Sequence, residues 1–161
     1  AASFASLTKK KRIKVRVDIQ DDIPMLNTDA GKVQQILYNF MSNAVKFTPE
    51  KGRIEIRASM PDEKTVRVAV SDNGPGISEE HKERIFEKFS QVDGSLTRAS
   101  GGSGLGLAIS KELAQLLAGS VSVESTLGEG STFWLDVPVN LQKQQAGQPQ
   151  NSQIQLREKT E

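Results

Sequence analysis

Several residue types that support common enzyme chemistries are scarce or missing in this chain of 161 residues. It has no cysteine, which excludes disulfides, thiol nucleophiles and thiolate metal sites. Its one histidine, His81, cannot build a multi-histidine metal site or a histidine-paired nucleophile relay. The formal net charge of +1 provides no broad positive field, so we expect no nucleic-acid partner. No apolar run approaches the roughly 20 residues that span a bilayer, so we expect a cytoplasmic chain that makes no membrane contact, from a parent protein that could be membrane-anchored.

The composition is otherwise that of an ordinary globular domain. Hydrophobic residues make up 36% and charged residues 25% of the chain, and a chain of this size can bury roughly two-thirds of its unfolded surface. We divide it into a basic lead-in at 1–12, a folded domain at 13–140 and a Gln-rich disordered tail or linker at 141–161. Because the first residue is Ala1 and not Met, we expect an excised piece of a longer protein.

Alternation of apolar and polar residues predicts five strands. The first is predicted to be half-buried, and the second and third to form a hairpin that turns at Pro61 and Asp62. The strands are predicted at 13–19, 53–60, 65–70, 121–123 and 132–139.

Three helices are predicted from apolar residues at helical spacing. The first begins after the N-cap Asp29 and stops before Pro49, a short one follows the cap Ser78, and the last runs from Leu105 to a C′ stop at Gly119. An amphipathic helix and a one-sided strand can each bury only one face. The expected fold is therefore α/β, a two-layer sandwich in which three helices cover one face of a five-stranded mixed sheet.

The first of three polar sites lies on the long helix. Asn39, Asn43 and Lys46 are spaced four and three residues apart, so they project from one side of it. Carboxamide oxygens can bind Mg²⁺, and a lysine one turn further can meet phosphate charge. By itself, the same pattern is also typical of a solvated helix face.

The second site follows the valine-rich third strand. It consists of Asp72 and the turn that runs through Gly74 and Gly76 to Ile77. A carboxylate at a strand end can accept a hydrogen bond from an exocyclic amine, and glycines let the backbone approach a planar ring. A tight turn without a ligand is the alternative explanation.

The third site is the glycine-rich run 101–107, which leads directly into the last helix. Glycines followed by the free amides of a helix N-terminus form an anion cradle. No predicted strand directly precedes the run and no Walker lysine follows it, which disfavours a dinucleotide fold and a P-loop.

Taken in order, these motifs resemble the ATP-binding catalytic domain of sensor histidine kinases, within the gyrase, chaperone, histidine kinase and mismatch-repair superfamily. The resemblance covers about residues 13–139. Residues 39–47 are similar to the family's N box, 72–76 to its first glycine box, 85–89 to its F box, 102–107 to its second glycine box and 130–133 to its final strand.

The resemblance implies ATP and Mg²⁺ as ligands. Asn43, with Asn39 beside it, would hold Mg²⁺, and Lys46 would contact phosphate. Asp72 would bind the adenine amino group, and Thr132 would lie on the adenine side. The pocket floor would be formed by Gly74, Gly76 and Ile77. The phosphates would be wrapped, at the base of a mobile lid over 90–102, by Gly102, Gly104, Leu105 and Gly106.

Position 39 separates the reactions of the superfamily. Hydrolytic branches carry a glutamate there, whereas Asn39 has no useful basicity toward water. We therefore expect transfer of the γ-phosphoryl group with little hydrolysis. The resemblance implies that the acceptor is a histidine on a separate dimerisation domain, followed downstream by a response regulator receiver domain. We expect His81 to be a surface residue and not the acceptor. Two alternatives stay open: a free-standing anti-sigma-type serine kinase and a non-catalytic nucleotide-binding module.

Overall fold

The computed structural model describes residues 4–82, 84–88 and 104–141. Four helices lie in these ranges: α1 (Phe4–Lys10), α2 (Ala30–Phe47), α3 (Glu79–Lys82) and α4 (Gly106–Leu116). The strands are β1 (Lys14–Ile19), β2 (Arg53–Asp62), β3 (Thr65–Asp72), β4 (Ser120–Thr126) and β5 (Gly130–Pro138).

The strands form one mixed sheet in the order β1-β2-β3-β5-β4. β1 runs parallel to β2, and the other neighbours are antiparallel. The predicted α/β fold with a five-stranded mixed sheet is confirmed. Within the described ranges, no helix has the length and apolar character that crossing a membrane requires.

The core lies between α2 and the central strands. Ile36 and Phe40 on α2 are at most 1% exposed, and the Phe40 ring lies 5.6 Å from the Phe133 ring of β5. Alternate residues of β3 and β5, such as Val70 and Leu135, complete this layer. Burial of the apolar stripe of α2 is what holds the helix on the sheet.

No helix within the described ranges covers the opposite sheet face, which carries polar side chains. Arg67 of β3 donates two hydrogen bonds of 2.7 Å to Asp136 of β5, and its guanidinium lies 4.8 Å from the Trp134 ring centroid. The Asp136 hydrogen bonds raise the pKa of Arg67, against a smaller opposing effect of burial. The alternation on β5 therefore sends even-numbered residues to this outer face and odd-numbered ones to the core.

The predicted limits of α2 are confirmed. The Asp29 carboxylate accepts a hydrogen bond of 3.1 Å from the Lys32 amide, which is an N-cap contact. At the other end, the C-cap residue Thr48 is extended, with φ −63° and ψ 129°, because Pro49 follows it.

Apolar residues at helical spacing predict one buried face of α4, and this prediction is wrong in part. The residues that predict this face are Leu105, Ile109, Leu113, Leu116 and Leu117. Ile109 and Leu116 are 42% and 65% exposed, whereas the small residues Ala108, Ser110 and Ala114 are buried. Small side chains let α4 approach α2 closely, so the contact is made where the helix has the least bulk.

The predicted C′ stop of α4 is displaced by one residue. Ala118, with φ +52°, is the left-handed residue, and the Gly119 amide donates to the Ala114 carbonyl at 2.9 Å, as in a Schellman motif. Gly119 has a different requirement: a Cβ there would lie 2.2 Å from the Asp136 carbonyl oxygen.

The first strand is not half-buried as predicted. β1 is an edge strand, and Val15, Val17 and Ile19 are 44%, 59% and 63% exposed. Alternation predicts that these side chains share a face, and they do share the face of buried Ile54 on β2. It cannot predict that the helical layer ends before it reaches the edge of the sheet.

The hairpin between β2 and β3 is confirmed, but its turn is not at Pro61 and Asp62. Both belong to β2, and Pro61 lies within an irregularity in register between Ser59 and Asp62. A bulge accommodates the missing amide of a proline within a strand. The chain reverses instead at 63–64, where Asp62 accepts a 2.8 Å hydrogen bond from the Lys64 amide.

The ends of the domain extend slightly beyond the predicted range. α1 lies within the stretch interpreted as a lead-in, and its Phe4 ring lies 4.9 Å from the Tyr38 ring of α2. At the other end, the Leu141 amide donates to the Asn27 carbonyl at 2.8 Å. Both segments are held by tertiary contacts that periodicity does not reveal. Residues 142–161 of the predicted tail are outside the described residues.

Candidate functional site

Asp72 ends β3 with its carboxylate partly buried. Burial raises its pKa, and the hydrogen bond of 2.8 Å that Oδ1 accepts from the Gly74 amide opposes this effect. Oδ2 accepts no hydrogen bond from the described residues. The site thus presents a desolvated acceptor that a ligand amine could satisfy.

The turn after Asp72 requires its glycines. A Cβ on Gly74 would lie 2.7 Å from the Asp72 Oδ1 and 3.1 Å from the Phe47 carbonyl oxygen. Gly76 has φ +71°, and a Cβ there would lie 2.0 Å from the Thr126 carbonyl oxygen. The turn is therefore packed between the end of α2 and the β4–β5 hairpin, which fixes one wall of the site.

The last residue of this turn, Ile77, is held by a buried serine pair. Its amide donates to the Ser125 Oγ at 2.8 Å, and that hydroxyl lies 2.8 Å from the Ser131 Oγ. Ser125 also donates to the Gly130 carbonyl at 2.7 Å. The Ile77 backbone thus joins the turn to β4 and β5.

Thr132, which the resemblance places on the adenine side, faces the opposite side of the sheet from Asp72. Its hydroxyl lies 2.8 Å from the Ser71 hydroxyl, on the outer face that also carries Trp134. Ser131 is the residue directly opposite Asp72 in the β3–β5 register, and it is buried. Residues directly opposite in an antiparallel pair share a face, so Ser131 and Asp72 lie side by side.

The predicted polar side of α2 is present and is partly free to bind. Asn43 is half-buried, and its carboxamide has no hydrogen-bond partner among the described residues. The Lys46 ammonium lies 4.9 Å from the Phe47 ring centroid, and Phe47 is 41% exposed. A carboxamide, a cation and an aromatic face thus lie along the last two turns of one helix.

Asn39 is held more tightly than its neighbour Asn43. Its amide nitrogen donates to the Gly106 carbonyl at 2.9 Å and to the Ser110 Oγ at 3.0 Å, both on α4. Its Oδ1 is 3.5 Å from the Gln35 amide nitrogen. Asn39 therefore joins α2 to the first turns of α4, a contact that its spacing to Asn43 did not predict.

The glycine-rich site is described from Gly104 onward, and Gly102 lies outside the described residues. Gly104 has φ +67°, a left-handed conformation that favours glycine, and α4 begins two residues later at Gly106. The N-cap residue Leu105 has no polar side chain that could accept from the first-turn amides. The start of α4 lies beside Asn39, because a Cβ on Gly106 would be 3.6 Å from the Asn39 carboxamide carbon.

The comparisons with known proteins agree with this arrangement. The family model described as "Histidine kinase-, DNA gyrase B-, and HSP90-like ATPase" matches residues 28–141. The chain is 46% identical over 133 residues to the autoinducer 2 sensor kinase/phosphatase LuxQ of Vibrio vulnificus. That match covers 78% of this chain but only 15% of the LuxQ protein, so the chain spans a small part of such relatives.

Two solved proteins share the fold. Full-length ShkA in complex with AMPPNP has a TM-score of 0.73 and 39% identity, over 82% of this chain and 27% of that one. The nucleotide-free catalytic domain of histidine kinase ThkA has a TM-score of 0.73 and 28% identity, over 85% of this chain and 87% of that one. ThkA has also been solved in complex with the response regulator protein TrrA, where the TM-score is 0.69 at 27% identity, over 84% of this chain and 36% of that one.

Proposed function

The chain belongs to the histidine kinase-, DNA gyrase B- and HSP90-like ATPase family, as the catalytic domain of a sensor histidine kinase, and from that premise we propose how its residues hold and use Mg-ATP. The proposal rests chiefly on Asp72, whose partly buried carboxylate has one oxygen bonded to Gly74 and the other without a partner in the described residues. A buried acceptor of this kind is stable only when a donor reaches it.

Adenine is the donor that we propose for Asp72. Its exocyclic amine would donate to the free oxygen, with the Ser131 hydroxyl beside it and the glycine turn against the ring. The half-exposed Phe47 ring, at the end of α2, offers a flat apolar surface of the kind on which bases stack. Guanine carries a carbonyl oxygen at the corresponding position, which would face a carboxylate, so the site should select adenine.

The phosphates would extend from Phe47 toward the start of α4. Asn43 would offer its carboxamide oxygen to Mg²⁺, and Lys46 would leave the Phe47 ring to meet a phosphate oxygen. No three His, Cys, Asp or Glu side chains cluster in the described part of the chain. Asn43 and the phosphate oxygens of the nucleotide would therefore hold Mg²⁺ together. Gly104, Leu105 and the first amides of α4 would receive the remaining negative charge.

The reaction that we propose is phosphoryl transfer and not hydrolysis. Asn39 has no basicity, and its amide nitrogen already donates to Gly106 and Ser110, so it would serve to hold α4 against the metal-binding turn of α2. Phosphoryl transfer depends mainly on positioning and charge neutralisation. A histidine on a separate dimerisation domain would accept the γ-phosphoryl group, and a response regulator receiver domain would take it onward, a partner class that the ThkA–TrrA complex supports.

Calorimetric titration with Mg-ATP and Mg-GTP tests the adenine assignment. Wild type should bind Mg-ATP and discriminate against Mg-GTP. Asp72→Asn should lower Mg-ATP affinity on the order of tenfold to a hundredfold, because a charge-assisted hydrogen bond contributes about 1.5–3 kcal/mol. Asp21→Asn, an exposed position, is the matched control. Unchanged Mg-ATP affinity in Asp72→Asn would remove the assignment.

The acceptor is tested with labelled ATP and the histidine-containing dimerisation domain of the parent kinase. Acid-labile, base-stable label on that domain, with an unchanged yield for His81→Ala, is the expected result. His81 is half-buried, and its Nδ1 lies 2.6 Å from the Ser78 Oγ. Acid-stable, base-labile label on an added protein would favour a serine kinase, and binding without any transfer would favour a nucleotide-binding module.

A further inference from the structure

Lys11 makes three hydrogen bonds to the C-terminal end of α2. Its ammonium donates to the carbonyl oxygens of Val45, Lys46 and Thr48 at 2.8, 2.9 and 2.8 Å. The last carbonyls of a helix have no partner within the helix, and the helix dipole favours a cation beside them. All three hydrogens of the ammonium are therefore used on one turn.

The backbone around Lys11 aims this side chain. α1 ends in a Schellman motif, in which the Arg12 amide donates to Lys9 and the Ile13 amide to Thr8, and Arg12 takes the left-handed φ of +54°. Ile13 is then buried in the core, and the Lys11 carbonyl accepts a 2.8 Å hydrogen bond from the Lys51 amide. Lys11 is thus fixed at both its backbone and its side chain.

The turn that Lys11 holds is also a wall of the candidate site. It contains Lys46 and Phe47, and the Phe47 carbonyl lies so close to Gly74 that a Cβ on the glycine would be 3.1 Å from it. A shift of this turn would therefore move the phosphate-facing lysine, the exposed aromatic ring and the glycine turn beside Asp72 together.

We propose that Lys11 is a positioning residue for nucleotide binding, which holds the last turn of α2 in the geometry that the adenine and phosphate contacts require. The inference rests on the proposed function, because it assumes that the site between α2 and β3 takes Mg-ATP or Mg-ADP. Lys11 has no hydrogen bond to any side chain that we propose to contact nucleotide, so its effect would pass through the three backbone carbonyls. The basic run 9–12 contains one residue with this role and is not merely a solvated lead-in.

The absence of cysteine permits a precise test. Lys11→Cys introduces the only thiol of the chain, and alkylation with 2-bromoethylamine then restores an ammonium on a side chain of nearly the original length. Mg-ADP affinity is measured by calorimetry at a temperature where every variant is folded by circular dichroism. Lys10→Met is the matched control, since the Lys10 side chain is exposed and makes no hydrogen bond or ion pair within the described residues.

Lys11→Cys and Lys11→Met should each lower Mg-ADP affinity on the order of tenfold, since three charge-assisted hydrogen bonds are lost, and aminoethylation should restore it. Lys10→Met should bind as wild type does. A lower melting temperature with unchanged Mg-ADP affinity would overturn the proposal and leave Lys11 as a helix cap only. Failure of wild type to bind Mg-ADP would instead overturn the proposed function.

A measurement on wild type covers the case in which the variants do not fold. Linkage is reciprocal. If the Lys11 hydrogen bonds strengthen nucleotide binding, then bound nucleotide must also stabilise those hydrogen bonds. The Lys51 amide, which donates to the Lys11 carbonyl, reports on this segment. Saturating Mg-ADP should slow its hydrogen exchange severalfold, and unchanged exchange at Lys51 would overturn the proposal.

Discussion

Ser131 lies directly opposite Asp72 across the β3–β5 ladder, on the face of the sheet that α2 covers, whereas Thr132 next to it faces the other way. One step along a strand thus separates a residue beside the proposed adenine position from one that hydrogen-bonds Ser71 on the outer face.

This relationship predicts opposite results for two neighbouring substitutions. Ser131→Ala should lower Mg-ATP affinity about twofold to tenfold, because one neutral hydrogen bond contributes about 0.5–1.5 kcal/mol. Thr132→Val, which keeps the shape of the side chain, should leave the affinity unchanged. Calorimetry on the two folded variants checks both values. A loss of affinity in Thr132→Val alone would restore the orientation expected from sequence.

The raised pKa of Asp72 predicts that the carboxylate proposed to bind adenine lowers the stability of the domain without nucleotide. The folded state binds the Asp72 proton more tightly than the unfolded state, so the stability due to protonation is fully present below the ordinary pKa of 3.8 and is lost as pH rises through the raised value. At pH 7 the ionised, desolvated carboxylate therefore costs stability. Asp72→Asn keeps an acceptor for the Gly74 amide and removes the charge.

Without nucleotide, Asp72→Asn should therefore melt above wild type at pH 7, by about 3 °C, the shift that about 1 kcal/mol gives in a domain of this size. The difference should shrink as pH falls toward 3.8. Differential scanning calorimetry across this range checks it. A melting temperature for Asp72→Asn that is lower at pH 7 and converges with wild type only in acid would contradict the sign.

The end of α4 predicts opposite effects for adjacent positions. Ala118 has a left-handed φ and is exposed, so Ala118→Gly should stabilise the domain by about 0.5–1 kcal/mol. Gly119→Ala should destabilise it by several times as much, because the new Cβ would meet the Asp136 carbonyl. Urea unfolding of both variants measures the two free energies. Equal effects at both positions would show that the left-handed residue is misplaced.

The contact between α2 and α4 predicts that Asn39→Asp, although nearly isosteric, lowers the free energy of unfolding strongly. Asn39→Asp replaces the donor to Gly106 and Ser110 with a carboxylate that faces a carbonyl, which should cost about 2–3 kcal/mol. Gln34→Glu, on an exposed position of the same helix, adds the same charge and should change stability by less than about 0.5 kcal/mol. Similar free energies of unfolding for the two variants would argue against the contact.

The sequence predicted the helices and strands well because they depend on local chemistry. The Asp29 cap and the stop before Pro49 are properties of one helix end, and the hydrophobic periods of α2 and β5 are preserved in the folded state. The order of the motifs indicated the family, which the match over residues 28–141 confirms.

What alternation determined on its own was which residues share a strand face or a helix side. Only the tertiary structure decided how those faces were used. β1 keeps its alternation but lies where the helical layer no longer covers it, α4 packs through its smallest residues, and Ser131 faces Asp72 only because of the β3–β5 register. Lys11 and Asn39 each bind a segment more than thirty positions away, and contacts of that range follow from how the layers close and not from any local pattern.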